Sequence, residues 1–349
     1  MRVYLVVAVW PSTKANHAGM YYLAKRLKND WDIEATVIAI PTRGIRKLPW
    51  VYSAIHWAVG FYLRMVAGSD DKVLLMEYLY PGYGQQQIAK MLKGRVKVFG
   101  LAHLVPARIE SSFTDEEIRR QVDLVDAMLV LGSSLRDYFV SKDSGNSKIR
   151  VTYHYADTNY YSPGEKLSGA DSQMRVLCMG NMERSYKTLL EIVKRCDNLD
   201  FDICVGGADV GHLFADCQNV TIHGYLDEAD LLQLMRQDDV SLNVMRDTIG
   251  SNVITTSLST GLIVVASRVG SIEDYVRDRS NGLLAENTDQ FVEILNELKV
   301  NVELKTMIRK NAIESAQELS IENFRDWLSS FFAEYPRCSA DGNKSGQRH

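Results

Sequence analysis

Between Asp239 and Glu286 the chain reads DVSLNVMRDTIGSNVITTSLSTGLIVVASRVGSIEDYVRDRSNGLLAE, a pattern that few folds accommodate. An alternating strand, Val240–Met245, runs into a polar turn, Arg246–Asn252. A short helix follows, closed by Gly261, and then an apolar strand, Leu262–Ser267. Strand, turn, helix and strand in that order make one half of a ligand site. Around Gly250, Ser251 and Asn252 the first helical turn leaves backbone N–H groups without intrahelical partners, at the positive end of the macrodipole. An anion such as phosphate is favoured there.

The same alternation runs through the rest of the chain. Strands are predicted at Val3–Val9, Ala35–Ile40, Val73–Met76, Val96–Leu101, Ala127–Leu131 and Ile149–Tyr153, with helices at His17–Leu27, Trp50–Ala67, Gln85–Leu92, Asp115–Leu124 and Ser133–Val140. Continuous apolar strands between amphipathic helices predict a parallel sheet covered on both faces, with ligands gathering at the carboxyl ends of its strands. The alternation restarts with strand Arg175–Met179, helix Tyr186–Arg195, strands Phe201–Val205 and Val220–Ile222, and helix Glu228–Met235; helices Gln290–Leu298, Val302–Leu319 and Ile321–Tyr335 close it. The fold class is α/β, with two Rossmann-like, doubly wound parallel-sheet domains. Residues 1–163 form the first, 164–173 a polar connector, 174–319 the second, 320–336 a final helix and 337–349 a polar tail expected to be disordered.

A length of 349 residues with 46% apolar and 24% charged side chains fits two domains that each bury a core. Five cysteines without a C-x-x-C pair or zinc-like spacing point to a reduced, cytoplasmic protein, and no metal-ligand pattern is visible. The first ten residues read as a buried strand rather than a signal peptide. Trp50–Ala67 contains His56 and Arg64 and is short for a membrane span, so it is read as an ordinary helix. Residues 1–163 carry 21 Lys and Arg against 15 Asp and Glu, whereas 164–349 carry 19 against 29. The basic first half suits an anionic membrane surface or an acidic acceptor. No basic-aromatic motif supports nucleic acid.

Ser251, Asn252, Gly261, Val264, Val265, Ala266, Ser267, Val269, Gly270, Glu273, Asn281, Gly282, Leu283 and Leu284 together carry a resemblance. They are similar to the donor-site signature of retaining glycosyltransferases of family 4, roughly S-N-x-x-x-E-A-M-A-x-G-x-P-V-V-A-S, then V-G-G-x-x-E, then N-G-L-L. Asp157, Tyr161 and Pro163 likewise resemble the family's G-V-D-x-x-x-F-x-P element after the first domain. The resemblance implies the GT-B fold, with a final helix that returns to the first domain through Phe324, Trp327, Leu328, Phe331 and Phe332. It implies sugar transfer, with retention, from a nucleoside diphosphate sugar to a saccharide or lipid-linked acceptor, in polysaccharide or glycolipid synthesis, without a metal or other cofactor.

The resemblance also nominates side chains. Gly180, Arg184 and Lys187 open a helix where fixed positive charge would clamp the departing diphosphate; the alternative for both cations is a solvated helix start. His103 follows a buried strand whose end would face acceptor or donor sugar, though a lone histidine is more often structural. Gly206 and Gly224, Tyr225 and Leu226 border the nucleotide, Thr248 and Asp247 the sugar, and Gly250, Ser251 and Asn252 the phosphates. Glu273 matches a family acid and could instead cap a helix. Thr256 stands where the family has the glutamate that binds ribose, and Thr248 where it has the partner glutamate. A threonine accepts one weak bond where a carboxylate accepts two charge-assisted ones, so ribose binding is expected to be looser by about 1–2 kcal/mol unless a group such as Asp247 substitutes. Two alternatives stay open: a non-catalytic scaffold or partner subunit of this fold, and a sugar epimerase or phosphorylase.

Overall fold

The computed structural model describes residues 1–10, 16–42, 44, 47–82, 84–142, 146–164 and 173–336. The expected tail, most of the connector, and Ile45 and Arg46 lie outside them. Two compact units emerge, Met1–Tyr153 with the chain from Ile321 onward, and His154–Ser320.

The first unit is built on six strands: β1 (Arg2–Val9), β2 (Glu34–Pro41), β3 (Lys72–Leu75), β4 (Lys97–Ala102), β5 (Ala127–Val130) and β6 (Ile149–Val151). They pair in parallel in the order β2-β1-β3-β4-β5-β6. The Val- and Leu-rich runs of β1, β3, β4 and β5 are buried on both faces, because helices cover both sides of a parallel sheet, while edge strands β2 and β6 are partly exposed. The helices are α1 (Met20–Asp30), α2 (Pro49–Val66), α3 (Gln85–Leu92), α4 (Pro106–Glu110), α5 (Asp115–Leu124) and α6 (Ser133–Ser141). Helix α5 starts at a capping box, in which Thr114 and Glu117 satisfy each other's backbone N–H. Helix α1 starts at Met20 rather than His17, since Gly19 takes an extended N-cap conformation. Helix α4 has no counterpart among the expected elements; Pro106, at its first position, fixes φ for a helical turn just after β4.

Glu77 follows β3 and is buried, accepting hydrogen bonds from the Ala8 backbone N–H and Gln85 Nε2, each at 2.9 Å, with no cation paired to it among the described residues. Burial pushes its carboxyl from 4.5 up to about 8. Between those values the folded protein binds a proton that the unfolded chain releases. Stability from this group is therefore full below about 4.5 and is lost as pH rises toward about 8. In urea denaturation across that range, Glu77→Gln is expected to show a flatter pH dependence than the parent chain.

The second unit repeats the theme with β7 (Arg175–Met179), β8 (Asp200–Cys204), β9 (Val220–His223), β10 (Val240–Asn243), β11 (Ile263–Ser267) and β12 (Gly282–Ala285), and helices α7 (Tyr186–Arg195), α8 (Glu228–Gln237), α9 (Asn252–Thr260), α10 (Thr288–Val300) and α11 (Val302–Glu318). The strand order is β12-β11-β10-β7-β8-β9, again all parallel. The order reverses between β7 and β10, so the first and fourth strands of the unit are neighbours. Such a switch point leaves a crevice at the carboxyl ends of the two strands. The expected strand Val240–Met245 ends at Asn243, and β12, read beforehand only as an N-G-L-L motif, is a fully buried edge strand beside β11.

Residues 154–164 belong with this unit. Ala156 N–H donates to Leu319 O at 2.8 Å, Thr255 Oγ1 donates to Tyr155 O at 3.1 Å, Ser259 Oγ donates to Tyr161 O, and Tyr161 Oη meets Glu228 at 2.6 Å. Thr255 and Ser259 in the hydroxyl-rich α9 are explained by these bonds. A large side chain at Thr255 or Ser259 would displace the segment that they hold.

Helix α12 (Ile321–Ala333) packs on the first unit. Phe332 stacks on Trp31 at 6.0 Å, Phe331 meets Phe99 edge-on at 5.1 Å, and Trp31 Nε1 donates to Ser329 Oγ at 2.7 Å. Burying these aromatic faces is the main stabilisation of a helix that short.

Candidate active site

At the switch point of the second unit the chain leaves β7 through Gly180, whose φ of +77° suits glycine, and turns at Glu183, whose φ is +52°. Arg184 then pairs, as an isolated antiparallel bridge, with Met245 beyond β10, and Arg246 N–H donates to Glu183 O at 2.8 Å. Two loops that begin 65 positions apart in sequence, after Met179 and Val244, are thereby tied into one surface. A methyl group built on Gly180 would lie 3.3 Å from both the Arg184 guanidinium and the Val253 side chain. The guanidinium therefore sits beside the first turn of α9.

Arg184 Nε donates to Met179 O at 3.2 Å, and the guanidinium has no carboxylate partner among the described residues. Burial lowers its pKa to about 10, which leaves it charged at neutral pH. A partly buried, unpaired cation is unfavourable unless an anion joins it. The neighbouring helix start has the same need. Ser251, the N-cap of α9, makes no side-chain capping bond, its Oγ is buried without a partner, and the N–H groups of Ser251 and Asn252 have none among the described residues. A cation, an orphaned hydroxyl and free helix N–H groups are each groups that favour an anion.

The approach to α9 is held rigidly. Gly250 has φ +96°, and a Cβ there would lie 2.2 Å from the Tyr275 hydroxyl, which itself accepts the His154 N–H at 2.8 Å. Gly270, with φ +55°, packs so closely that a Cβ would lie 2.1 Å from Thr248 O and 2.4 Å from Asp247 Oδ1. Ser271 N–H donates to Thr248 O at 2.7 Å, which locks the 246–251 turn to the 268–273 turn. Tyr275 and Val253 were not singled out from sequence, and Gly270 was noted only within a motif. A positive φ and a close backbone approach are tertiary facts.

Of the nominated residues, the structure brings together Gly180, Arg184, Asp247, Thr248, Gly250, Ser251 and Asn252. Several differ in detail from expectation. The Gly250 N–H is not free, since Thr248 Oγ1 accepts it at 3.3 Å. Thr248 is buried, and its own N–H donates to Asp247 Oδ1 at 2.7 Å; burial raises the Asp247 carboxyl above its usual range. Thr256 is buried too, its hydroxyl donating to Asn252 O at 2.6 Å within its own helix. Both threonines are thus engaged internally. Glu273 caps no α-helix; it lies in a short 3-10 turn and pairs with Arg268 at 2.5 Å.

Others stand apart from the cradle. Lys187 is exposed on the first turn of α7. Gly206 turns after β8 with φ +63°, and Gly224, Tyr225 and Leu226 follow β9 at the same edge of the sheet, with Tyr225 68% exposed. His103 belongs to the first unit, at the end of β4, its ring 5.7 Å from Tyr80. Among the described residues no cluster of three or more His, Cys, Asp or Glu side chains is placed to hold a metal ion. Cys178, Cys196 and Cys204 are buried and unpaired, Cys217 is half-buried and unpaired, and Cys338 lies outside the described residues.

Comparison with known proteins agrees with this fold. The chain is 24% identical over 182 residues to a protein described as an uncharacterized 41.2 kDa protein in the cps region of Klebsiella pneumoniae; the match covers 48% of this chain and 51% of that protein, so the chain spans about half the length of the curated relative it matches. Sucrose-phosphate synthase from Thermosynechococcus elongatus superposes with a TM-score of 0.73 at 12% identity, over 95% of this chain and 98% of that one. HepE from Anabaena, solved in complex with UDP and glucose, superposes with a TM-score of 0.68 at 14% identity, over 96% and 100%. These likenesses show the GT-B fold, and within it residues 173–301, which hold the whole cradle, match the family model described as glycosyl transferases group 1.

Proposed function

We propose that the protein is a retaining glycosyltransferase that moves a sugar from a nucleoside diphosphate sugar to an acceptor hydroxyl, in the synthesis of a polysaccharide or glycolipid. The observation that carries this reading is the unpaired Arg184 guanidinium beside the open start of α9, inside the segment that matches group 1 glycosyltransferases. HepE, of the same fold, was solved with UDP and glucose, which supports a uridine nucleotide as the first donor to try. In the reaction the bond from the anomeric carbon to the diphosphate oxygen breaks, and the acceptor oxygen bonds to that carbon on the same face. The acceptor proton passes to the departing diphosphate. Negative charge grows on the diphosphate, where Arg184 and the N–H groups of Ser251 and Asn252 would meet it, and stabilisation set in place beforehand lowers the barrier. No protein nucleophile and no metal is required by this scheme. Titration with UDP and other nucleoside diphosphates, followed by donor hydrolysis without acceptor, tests it; a chain that binds none of them is not a transferase of this kind.

One observation favours the non-catalytic scaffold. Thr248 and Thr256 replace carboxylates and engage their hydroxyls internally, so nothing at those positions reaches for ribose. Thr256→Glu is expected to tighten nucleotide binding by about 1–2 kcal/mol in calorimetry by restoring a charge-assisted acceptor. No binding in either form would favour the scaffold.

The acceptor side points to a lipid surface, and with it to a peripheral position on the cytoplasmic membrane face. Helix α2 buries Tyr52, His56, Gly60 and Leu63, and on its other side Trp50, Trp57, Phe61 and Met65 are 73%, 46%, 60% and 69% exposed. No described helix is long and apolar enough to cross a membrane. Lys47 precedes α2, Arg64 donates to Met91 O at 2.8 Å, and Lys90, Lys93 and Arg95 lie on or just after α3, which packs against it. Exposed aromatics with flanking cations are the composition of an interfacial helix, each cation contributing about 1 kcal/mol at an anionic surface. Cosedimentation with phosphatidylglycerol vesicles at low salt is expected, and is expected to weaken in high salt and on Trp50→Ser with Phe61→Ser. Absence of binding at low salt removes the membrane from the reading.

A further inference from the structure

We propose that the second unit holds a neutral sugar residue in a second site, separate from the diphosphate cradle. The proposal deepens the glycosyltransferase reading and rests on it for the class of ligand. A cavity of about 330 Å³ opens at the carboxyl ends of β10, β11 and β12, between the first turns of α7 and α10. None of Gly180, Arg184, Ser251, Asn252 or Val253 lines it. The Arg184–Met245 bridge marks the division, with Arg184 in the cradle and Met245 and Arg246 on the cavity wall. The volume lies at the lower end of the range of small-molecule sites, about 300–1,000 Å³, where a single sugar ring with its water fits.

The wall chemistry selects the class. Arg246, Arg268, Thr188, Thr288 and Asn287 supply donors and acceptors, and Phe291 an apolar surface. A pyranose presents the matching pair, a rim of hydroxyls and an apolar C–H face. The charge balance rejects an anion. Arg268 already meets Glu273 at 2.5 Å, Asp278 at 2.7 Å and Glu286 at 3.7 Å, and Arg246 faces Glu183 at 3.7 Å. Two guanidinium groups surrounded by four carboxylates leave no spare positive charge. That is the opposite of Arg184, and it is why the two sites take different ligands.

The test uses the full chain without nucleotide, with methyl glucoside, methyl galactoside and methyl N-acetylglucosaminide as probes in saturation-transfer NMR. At least one glycoside gives a signal with the parent chain. The signal is lost in Thr288→Trp, which fills the cavity, and survives in Arg184→Ala, which removes the cation of the cradle. Thr188→Leu, which removes a wall hydroxyl at smaller steric cost, weakens the signal and serves if the tryptophan variant does not fold. The proposal is overturned if no glycoside binds, if the signal persists in both cavity variants, or if inorganic phosphate displaces it. Glycoside binding by a chain that binds no nucleotide would uphold the second site while removing the transferase reading.

Discussion

Arg184→Ala lowers kcat/KM for sugar transfer by about 10²–10³-fold, ~2.7–4 kcal/mol of transition-state stabilisation, the range for losing one fixed charge-stabilising donor. The size follows from the surroundings. No second cation stands beside Arg184 among the residues of the cradle, and Lys187 is exposed further along α7. The guanidinium reaches the first turn of α9 past Gly180, and its Nε is oriented by Met179 O. Arg184→Lys is expected to recover only part of the loss, because an ammonium is a point charge without the planar fork that donates to that carbonyl through Nε while pairing two phosphate oxygens in parallel. Steady-state kinetics with a saturating acceptor separates the outcomes: a fall in kcat places the interaction in the transition state, and a rise in KM alone places it in ground-state binding. Unchanged turnover in Arg184→Ala would overturn the assignment.

Gly270→Ala is expected to lower stability by about 3 kcal/mol and to weaken nucleotide binding with it. The new methyl would lie 2.1 Å from a backbone carbonyl oxygen, that of Thr248, and 2.8 Å from the Thr248 nitrogen. A side chain could turn away; a backbone locked by the Ser271 N–H to Thr248 O bond cannot. The positive φ of +55° adds its own strain for any residue with a Cβ. Relief requires the 246–251 turn to move, and that turn carries the N–H groups of the cradle. Chemical denaturation reads the first effect and UDP calorimetry the second. Gly206→Ala is the control, since its φ of +63° is also positive while no atom lies within 4 Å of the new methyl. It should show the backbone strain without the loss of binding.

Much of the architecture is legible from local pattern. Helices α3, α5 and α7 and strand β7 fall on the expected residues because each is bounded by a strong local signal, such as Gly84 before α3 and the Thr114 capping box before α5. Gly261 ends α9 in the left-handed conformation, with φ +76°, as a glycine after the last periodic residue implies. Four-residue β12 and five-residue α4 are too short for either period to register, and only their neighbours identify them.

The sequence by itself determined that this chain alternates strand and helix twice over, where helices α3, α5 and α7 begin and end, and that a helix start near Ser251 would favour an anion. These follow from backbone donors, side-chain period and glycine, which act within a few residues. The tertiary structure alone decided that β7 lies next to β10, and so that Arg184 reaches a helix start 68 residues away. It decided as well that Thr248 and Thr256 are buried and that, among the described residues, the cation of the cradle has no carboxylate partner. Strand order and the pairing of buried charges depend on which distant surfaces exclude water together, and no local pattern encodes that choice.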